Sequence, residues 1–467
     1  MAPITATIRD HLAMYLSQQG MSINQFAGQC GINSGTLSRL LNGQQPIAMN
    51  HLERITRGMQ LPEDHFYSLY VDECFHHSPP SWRRLRPFLL RAADLGRLDC
   101  IERVVQNLLE NLSYAPMLFE VAEGLFQQGL WQAAALLYKN VSASEKYQNS
   151  ERLAVCQFRL FRISLGDDQT LNLQAALLFE CYLDKLDEAD QLDGLKHLIN
   201  AYYSLHQWNK VDKLAQEMLH LATLRYNLKS HFNRKFNDEK VPEKPLCFYI
   251  LYSHLMRASI SEEHHDYISA LKFVTLYMDE SWIKEVKVDE EVQRTVEQFK
   301  EWGTANTLLY QVRSGQHETL AAYVEYISSR KDEIFVALYN ILISANQYDW
   351  NIDYILKRFA YYIPYRTYST EFGEYNQQIM KDQYARFLAE LAIYYLHNKR
   401  NEGISLILQS LESSAKINNE TIIIKCVDLF EQHRHLANKA EKQKYKLLIR
   451  EVQDLNEKKA YHAASFV

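Results

Sequence analysis

Residues 22–43 read Ser22-Ile23-Asn24-Gln25-Phe26-Ala27-Gly28-Gln29-Cys30-Gly31-Ile32-Asn33-Ser34-Gly35-Thr36-Leu37-Ser38-Arg39-Leu40-Leu41-Asn42-Gly43. The spacing describes two short helices that cross at close range. Ala27 is small where the helices must meet, and Gly31, four residues on, stands where the connecting turn needs a positive φ. Leu37 and Leu40 give the second helix an apolar face that matches Phe26 and Cys30 on the first. Ser22 and Gln25 form an S-x-x-Q capping box that starts the first helix. An ordinary helical hairpin accounts for the apolar spacing alone. A helix-turn-helix that reads DNA accounts for the small residue, the turn glycine and the paired faces together.

The flanks extend this reading. An amphipathic helix is predicted from Ile8 to Gln18, and Leu52, Ile55 and Leu61 supply a third apolar stripe, with Pro46 and Pro62 as punctuation. Ala27, Gly31, Leu37 and the closing Leu40-Leu41-Asn42-Gly43 resemble the phage-repressor/Xre class of helix-turn-helix domains, over about residues 5 to 70. In that geometry Asn33 caps the second helix, and Ser34, Gly35, Thr36, Ser38 and Arg39 occupy its DNA-facing side. Gly35 lets the backbone approach, Ser34 and Thr36 bond bases or phosphates, and Arg39 is placed for a bidentate contact with guanine. Ser22, Asn42 and Gln44 are assigned to phosphates.

Charge agrees with this division. The chain carries a net −6, yet Arg9, Arg39, Arg54 and Arg57 against Asp10 and Glu53 give residues 1–60 a balance of +2, so the rest carries −8. The basic end is expected to face DNA and the acidic body to do something else. A +2 module neutralises few phosphates, so a homodimer on two half-sites is expected. Only 15 Gly and 10 Pro in 467 residues favour an all-α fold. No signal peptide and no apolar stretch of about 20 residues is found. The seven cysteines are scattered without a C-x-x-C pair, as small hydrophobes of a reduced, cytoplasmic protein with no metal.

After residue 70 a linker is expected over 71–84, around His76-His77-Ser78-Pro79-Pro80. Helical pairs then fill residues 85–417. The clearest runs from Leu118 to Val141, with Ala122 as the small contact of one helix, Gly129 in the turn, Trp131 plugging it, Ala134 as the second small contact and Tyr138 one turn on. This pattern is similar to a tetratricopeptide repeat, whose pairs bury their faces only by stacking. Further turns are read at Gly96, Gly166, His206-Gln207-Trp208, His265-Asp266-Tyr267, Gly315, Gln347-Tyr348 and Asn398-Lys399, with a charged excursion over Arg225 to Lys244. Stacked in a right-handed superhelix, about eight such pairs leave a concave inner face. Residues 418–467 close the array as capping and dimerisation helices, with Ile422, Ile423, Ile424, Leu429, Tyr445, Leu447, Leu448 and Val452 as their apolar positions.

An Xre-type helix-turn-helix joined to a tetratricopeptide superhelix resembles the RRNPP family of peptide-responsive regulators. That resemblance implies a cytoplasmic transcriptional regulator that holds a short signalling peptide in the concave groove and binds an operator as a homodimer. Eight residues before the turn aromatics, on the position that faces the groove, stand Glu123, Asn200, Ser259 and Asn340. An asparagine amide both donates and accepts, as a β-strand partner does. Asn200 and Asn340, with Asn306 nearby and Tyr203 as groove wall, are therefore assigned to peptide binding. The alternative is a repressor or sequestering scaffold whose repeats bind a protein.

Catalytic grammar is missing: there is no phosphate-cradling glycine loop, no G-x-S-x-G and no H-E-x-x-H. No enzyme activity and no cofactor are expected. Glu262-Glu263-His264-His265-Asp266 and His433-Arg434-His435 read as solvated faces rather than metal sites, and Tyr361, Tyr362, Tyr365 and Tyr368 with Arg366 as inter-repeat packing.

Overall fold

Thr7 opens the first helix: its hydroxyl accepts from the Asp10 amide at 3.2 Å, and the Asp10 carboxylate accepts from the Thr7 amide at 2.7 Å. In the computed structural model, which describes residues 6–75, 80–145, 150–166, 168–232, 240–331, 333–363 and 375–464 (side chains excepted at 230–232, 375–379 and 456–464), every described element is helical. The fold is all-α. Two compact units divide the chain, Met1–Ile163 and Ser164–Val467.

The first unit contains α1 (Ile8–Gln18), α2 (Ile23–Cys30), α3 (Ser34–Leu41), α4 (Met49–Gly58), α5 (Tyr67–Phe75), α6 (Trp82–Asp94), α7 (Leu98–Leu108), α8 (Ala115–Gln127), α9 (Trp131–Ser144) and α10 (Glu151–Ser164). Phe26, Ala27, Leu37, Leu40, Leu52 and Ile55 are buried together, as the periodicity requires. Gly31 ends α2 at φ +65°. Gly58 lies so close to α2 that a Cβ there would meet Cys30 and Phe26 at 3.0 Å, which is how α4 approaches α2.

The boundary expected at residue 70 falls inside a helix. Tyr67 and Tyr70 on α5 lie edge-on or tilted against Phe88 of α6 at 5.1 and 5.2 Å, and one continuous core runs from Ile8 to Cys156. Of the expected linker 71–84, residues 71–75 belong to α5 and 82–84 to α6, while 76–79 lie outside the described residues. Arg9 fixes the junction: its guanidinium grips the buried carboxylate of Glu73 through both oxygens, and its Nε donates to the Leu40 carbonyl at 2.8 Å. Sequence spacing of 64 residues gives no hint of this pair.

The second unit contains α11 (Gln169–Glu180), α12 (Glu188–Ser204), α13 (Trp208–Phe232), α14 (Leu246–Glu263), α15 (Tyr267–Met278), α16 (Glu290–Arg313), α17 (Leu320–Ser328), α18 (Ile334–Tyr348), α19 (Asp353–Arg358), α20 (Tyr375–His397), α21 (Glu402–Lys416), α22 (Glu420–Gln432) and α23 (Lys439–Ala464). Left-handed residues close many of these helices: Gly315, but also His206, His265, Asp349, Lys399 and Asn418, at φ between 54° and 92°. In each the next amide reaches back five residues, as Gln207 N does to the Tyr202 carbonyl at 2.9 Å and Arg400 N to Tyr395 at 2.7 Å. The expected turns thus stand at Gly96, Gly129, His206, His265, Gly315 and Lys399, and one residue late at Asp349. Gly166 differs, since its backbone is held instead by both ends of the Asn172 amide, at 2.9 and 2.8 Å.

Several expected roles change. Trp131, the first residue of α9, is 45% exposed and so does not plug the turn as expected. Ile424 and Leu447 are exposed, whereas Ile422, Ile423, Tyr445 and Leu448 are buried as expected. Glu262 is drawn inward by Arg313, whose Nε donates to it at 3.0 Å, while Glu263, His264, His265 and Asp266 are exposed. Tyr361 is exposed rather than packed between repeats, and Tyr365, Arg366 and Tyr368 lie outside the described residues. The charged excursion begins as the end of α13, and residues 233–239 lie outside the described set.

Helix α12 packs against α20, and α14, α16, α18 and α20 pack in succession. The inner side is therefore bounded by these five helices, where the sequence predicts an open concave groove. Beyond the end of α12, the turn at His206 meets α20 in a polar cluster. Buried Asp382 accepts from Arg386 Nε at 2.8 Å and from the Asn419 amide, and faces His206 Nε2 at 3.3 Å.

Asp193 on α12 makes a second buried polar knot, accepting from Tyr249 OH and from the Glu243 amide at 3.0 Å. Burial pushes its carboxyl up to about 6. The native state thus holds this proton more tightly than the unfolded chain, so its contribution to stability is full below about pH 4 and is lost as pH rises through 6. The stability difference between the protein and Asp193→Asn should shrink by about 2 kcal/mol from pH 4.5 to 7.5 in urea titrations. A difference that stays constant with pH contradicts this.

Candidate functional site

Helix α3 turns Leu37 and Leu40 into the core, which leaves Ser34, Gly35, Ser38 and Arg39 on the opposite side and Asn42 just beyond its end. Asn33 caps the helix, its side-chain oxygen accepting from the amides of Gly35 at 3.0 Å and Thr36 at 3.3 Å. A Cβ at residue 35 would stand 3.2 Å from that oxygen, so the glycine makes room for the cap. Asn33, Gly35, Arg39, Asn42 and Gln44 are exposed, and Ser34, Thr36 and Ser38 half-buried. Ser22 caps α2 through the expected box with Gln25: the Ser22 amide donates to Gln25 Oε1 at 2.8 Å, and the Gln25 amide to Ser22 Oγ at 3.3 Å. Two helix N-termini, with their unpaired backbone amides, thus carry exposed caps, the arrangement that suits phosphate oxygens.

The basic residues do not all serve this surface. Arg9 is committed to Glu73, and Arg54 donates to the Gly31 carbonyl at 2.7 Å, fastening the turn of the motif. Arg39 remains exposed on the recognition face, where Gln45 Oε1 and Thr36 Oγ1 each accept from it at 3.3 Å. Gln45 went unread in the sequence because the chain turns back at Gly43 (φ +69°) to bring it beside Arg39.

In the second unit, Asn200, Asn306 and Asn340 are each half-buried. Asn200 Oδ1 accepts from Tyr252 OH of α14. Asn306 Nδ2 donates to Tyr277 OH of α15 at 2.9 Å. Asn340 Nδ2 donates to the Val336 carbonyl of its own helix at 3.1 Å. Phe248 stacks on Tyr252 at 5.3 Å, and Phe299 meets Phe248 at 5.7 Å and Tyr277 at 6.1 Å. One aromatic run therefore joins Asn200 to Asn306, and Asn340 stands outside it. Tyr203 packs edge-on against Trp208 at 5.3 Å, and burial with Glu263 and Glu262 nearby raises its phenol.

Sequence reasoning missed the ionisable residues on this side. Burial pushes Glu262 up to about 7 despite Arg313, and Arg386 sits 2.6 Å from His206 Nε2. Their signal was present but weak: Ser259 and Glu262 follow Tyr252 at helical spacing on α14.

Residues 11–60 match the Cro/C1-type HTH DNA-binding domain. No curated protein and no solved structure matches the chain. Among the described residues no helix is long and apolar enough to cross a membrane.

Arg39→Ala should lower affinity for an operator selected from randomised duplex DNA by about 1–3 kcal/mol and relax selectivity at one base pair. Gln45→Ala, which only releases the guanidinium, should cost less than Arg39→Ala. Gel-shift titration reads both, and unchanged selectivity in Arg39→Ala contradicts the assignment.

Proposed function

We propose that this helix-turn-helix protein is a peptide-responsive transcriptional regulator, which binds operator DNA through α3 and a short linear signalling peptide along the inner helices of its second unit. The observation that carries the reading is the pair of half-satisfied amides. Among the described residues, Asn200 uses its oxygen and Asn306 its nitrogen within the protein, which leaves the Nδ2 of one and the Oδ1 of the other without an internal partner. A peptide main chain offers the complementary acceptor and donor. Tyr203 is assigned to the wall of the same site, and Asn340, outside the aromatic run, to a separate contact with the peptide.

Regulation requires the peptide to prefer one of two states of the protein. The polar contact of α12 with α20 is the element suited to differ between them. Among its members, His206, Asp382, Arg386 and Asn419, the His206 ring nitrogen faces both Arg386 and Asp382 and can exchange between them while Asp382 keeps its other donors.

A homodimer is part of the proposal. Exposed apolar side chains on the last two helices, Ile424 at 69%, Leu447 at 49% and Leu455 at 42%, offer a face for a second copy. Two copies place two recognition helices on DNA, which compensates for the few phosphates one module neutralises. The exposed Leu171, Leu177 and Leu178 of α11 favour the second reading, a regulator whose second unit binds a protein.

Calorimetry with synthetic seven-residue peptides, taken from the C-termini of small open reading frames flanking the gene, tests the reading against the alternative. One peptide should bind, weaken about tenfold or more in Asn200→Ala and Asn306→Ala, and change operator affinity in the same preparation. Binding that leaves operator affinity untouched removes the regulatory claim. Light scattering should give the mass of a dimer at micromolar concentration with operator present.

A further inference from the structure

Asn306, Tyr310 and Arg313 follow one another at helical spacing on α16, so the half-satisfied amide of Asn306 shares its face with a guanidinium. Arg313 is only 6% exposed. Its carbonyl, at the end of the helix, accepts from Tyr348 OH of α18 at 3.0 Å, which fixes where the side chain starts. Its Nε donates to Glu262 of α14 at 3.0 Å, whereas Nη1 is buried with no acceptor among the described residues. Arginine does not shed its proton to relieve such a position, so the unmet donor keeps its full charge.

Glu262 is a weak counter-charge for it. Burial, reinforced by Glu263, pushes Glu262 up to about 7 against the pull of Arg313, so near neutral pH a share of the molecules hold Arg313 beside an uncharged acid. Tyr339 of α18 lies within electrostatic reach of both Arg313 and Arg386 of α20. Of the two arginines, Arg386 is engaged by Asp382 and His206, while Arg313 has a donor to spare. Glu262 and Tyr339 are half-buried, so solvent reaches the neighbours of the guanidinium on the inner side. A carboxylate matches the planar fork with two oxygens. A phosphate, more highly charged, is disfavoured by Glu262 and Glu263 alongside.

We propose that Arg313 anchors a carboxylate of the bound peptide, either its C-terminus or an Asp or Glu side chain. The inference rests on the peptide reading above and names what that peptide must carry. Seven residues at about 1.5 Å each put Arg313 about 10 Å from Asn306 along α16, the reach of about three residues of extended chain. The carboxylate therefore lies about three residues along the peptide from the main-chain donor that meets Asn306. Tyr310, between the two on the same face, has its phenol raised by burial and so stays protonated beside the ligand.

The test uses the full-length protein and three pools of heptapeptides randomised over Ala, Ser, Val, Leu and Phe, with a neutral BODIPY dye at the N-terminus. One pool ends in a free carboxylate, one in an amide, and one in an amide with a single internal Glu. By fluorescence anisotropy the free-acid or the glutamate pool should bind about tenfold more tightly than the plain amide pool. Which of the two does so identifies the source of the carboxylate. The preference should fall below about threefold in Glu262→Gln/Arg313→Gln, which replaces the ion pair by two amides able to bond each other. Arg313→Lys, which keeps the charge and the Glu262 partner but not the fork, should also lower it, by about threefold, and reads the site should the double variant not fold. It should persist in Arg257→Gln, which removes an arginine paired elsewhere on α14, with Asp212. Equal binding of the three pools, a preference that survives in either Arg313 variant, or equal loss in Arg257→Gln overturns the carboxylate site and leaves peptide binding standing. Binding of no pool overturns the peptide reading and this inference with it.

Discussion

Asp382 is the carboxylate on which the arrangement of the second unit turns. It is buried, and three segments meet on it: the α12–α13 turn, whose His206 Nε2 faces it, its own helix, whose Arg386 donates to it, and the start of α22, whose Asn419 amide donates to it. Those partners hold its carboxyl below the usual range against the opposing effect of burial. A buried charge stripped of such partners costs about 3–5 kcal/mol, so α12, α20 and α22 are obliged to stay together. The inner side bounded by five helices follows from that obligation.

The cluster also carries a conflict useful to a regulator. Arg386 Nη2 and Asp382 Oδ2 both face the one His206 nitrogen. Which it serves depends on the tautomer: with the proton on Nδ1 the Nε2 accepts from arginine, and with the proton on Nε2 it donates to aspartate. The contact therefore has two hydrogen-bonding arrangements of similar geometry, the kind of element whose balance a ligand shifts.

In the first unit the economy is different. Of the four arginines that make the N-terminal segment basic, Arg9 acts inside the fold, locking α5 to α1 and α3, while Arg54, at the surface, fastens the turn of the motif. Arg39 keeps its guanidinium on the recognition face. With Arg9 paired to Glu73, the net charge of residues 1–60 overstates what the module offers to phosphates.

Local structure was legible in the sequence wherever it depended on neighbours a few residues apart. The capping box at Ser22 and Gln25, the left-handed turn at Gly31 and the inward Leu37 and Leu40 follow from bonds and periodicity within one or two helical turns. So does the helix bounded by Glu420 and Gln432. The left-handed turns at His206, His265 and Lys399 were also placed, though no glycine marks them, because aromatic and small residues frame them at fixed distances. What the sequence did not disclose was which polar groups meet across the fold. Arg9 and Glu73 are separated by 64 residues, and His206 and Asp382 by 176, and nothing local distinguishes these side chains from solvated ones. Helix packing alone decides that Glu262 turns inward while Glu263 stays exposed, that Trp131 faces out, and that α12 comes back to α20. Burial then makes those pairings obligatory, since a charge removed from water must find its partner inside the protein.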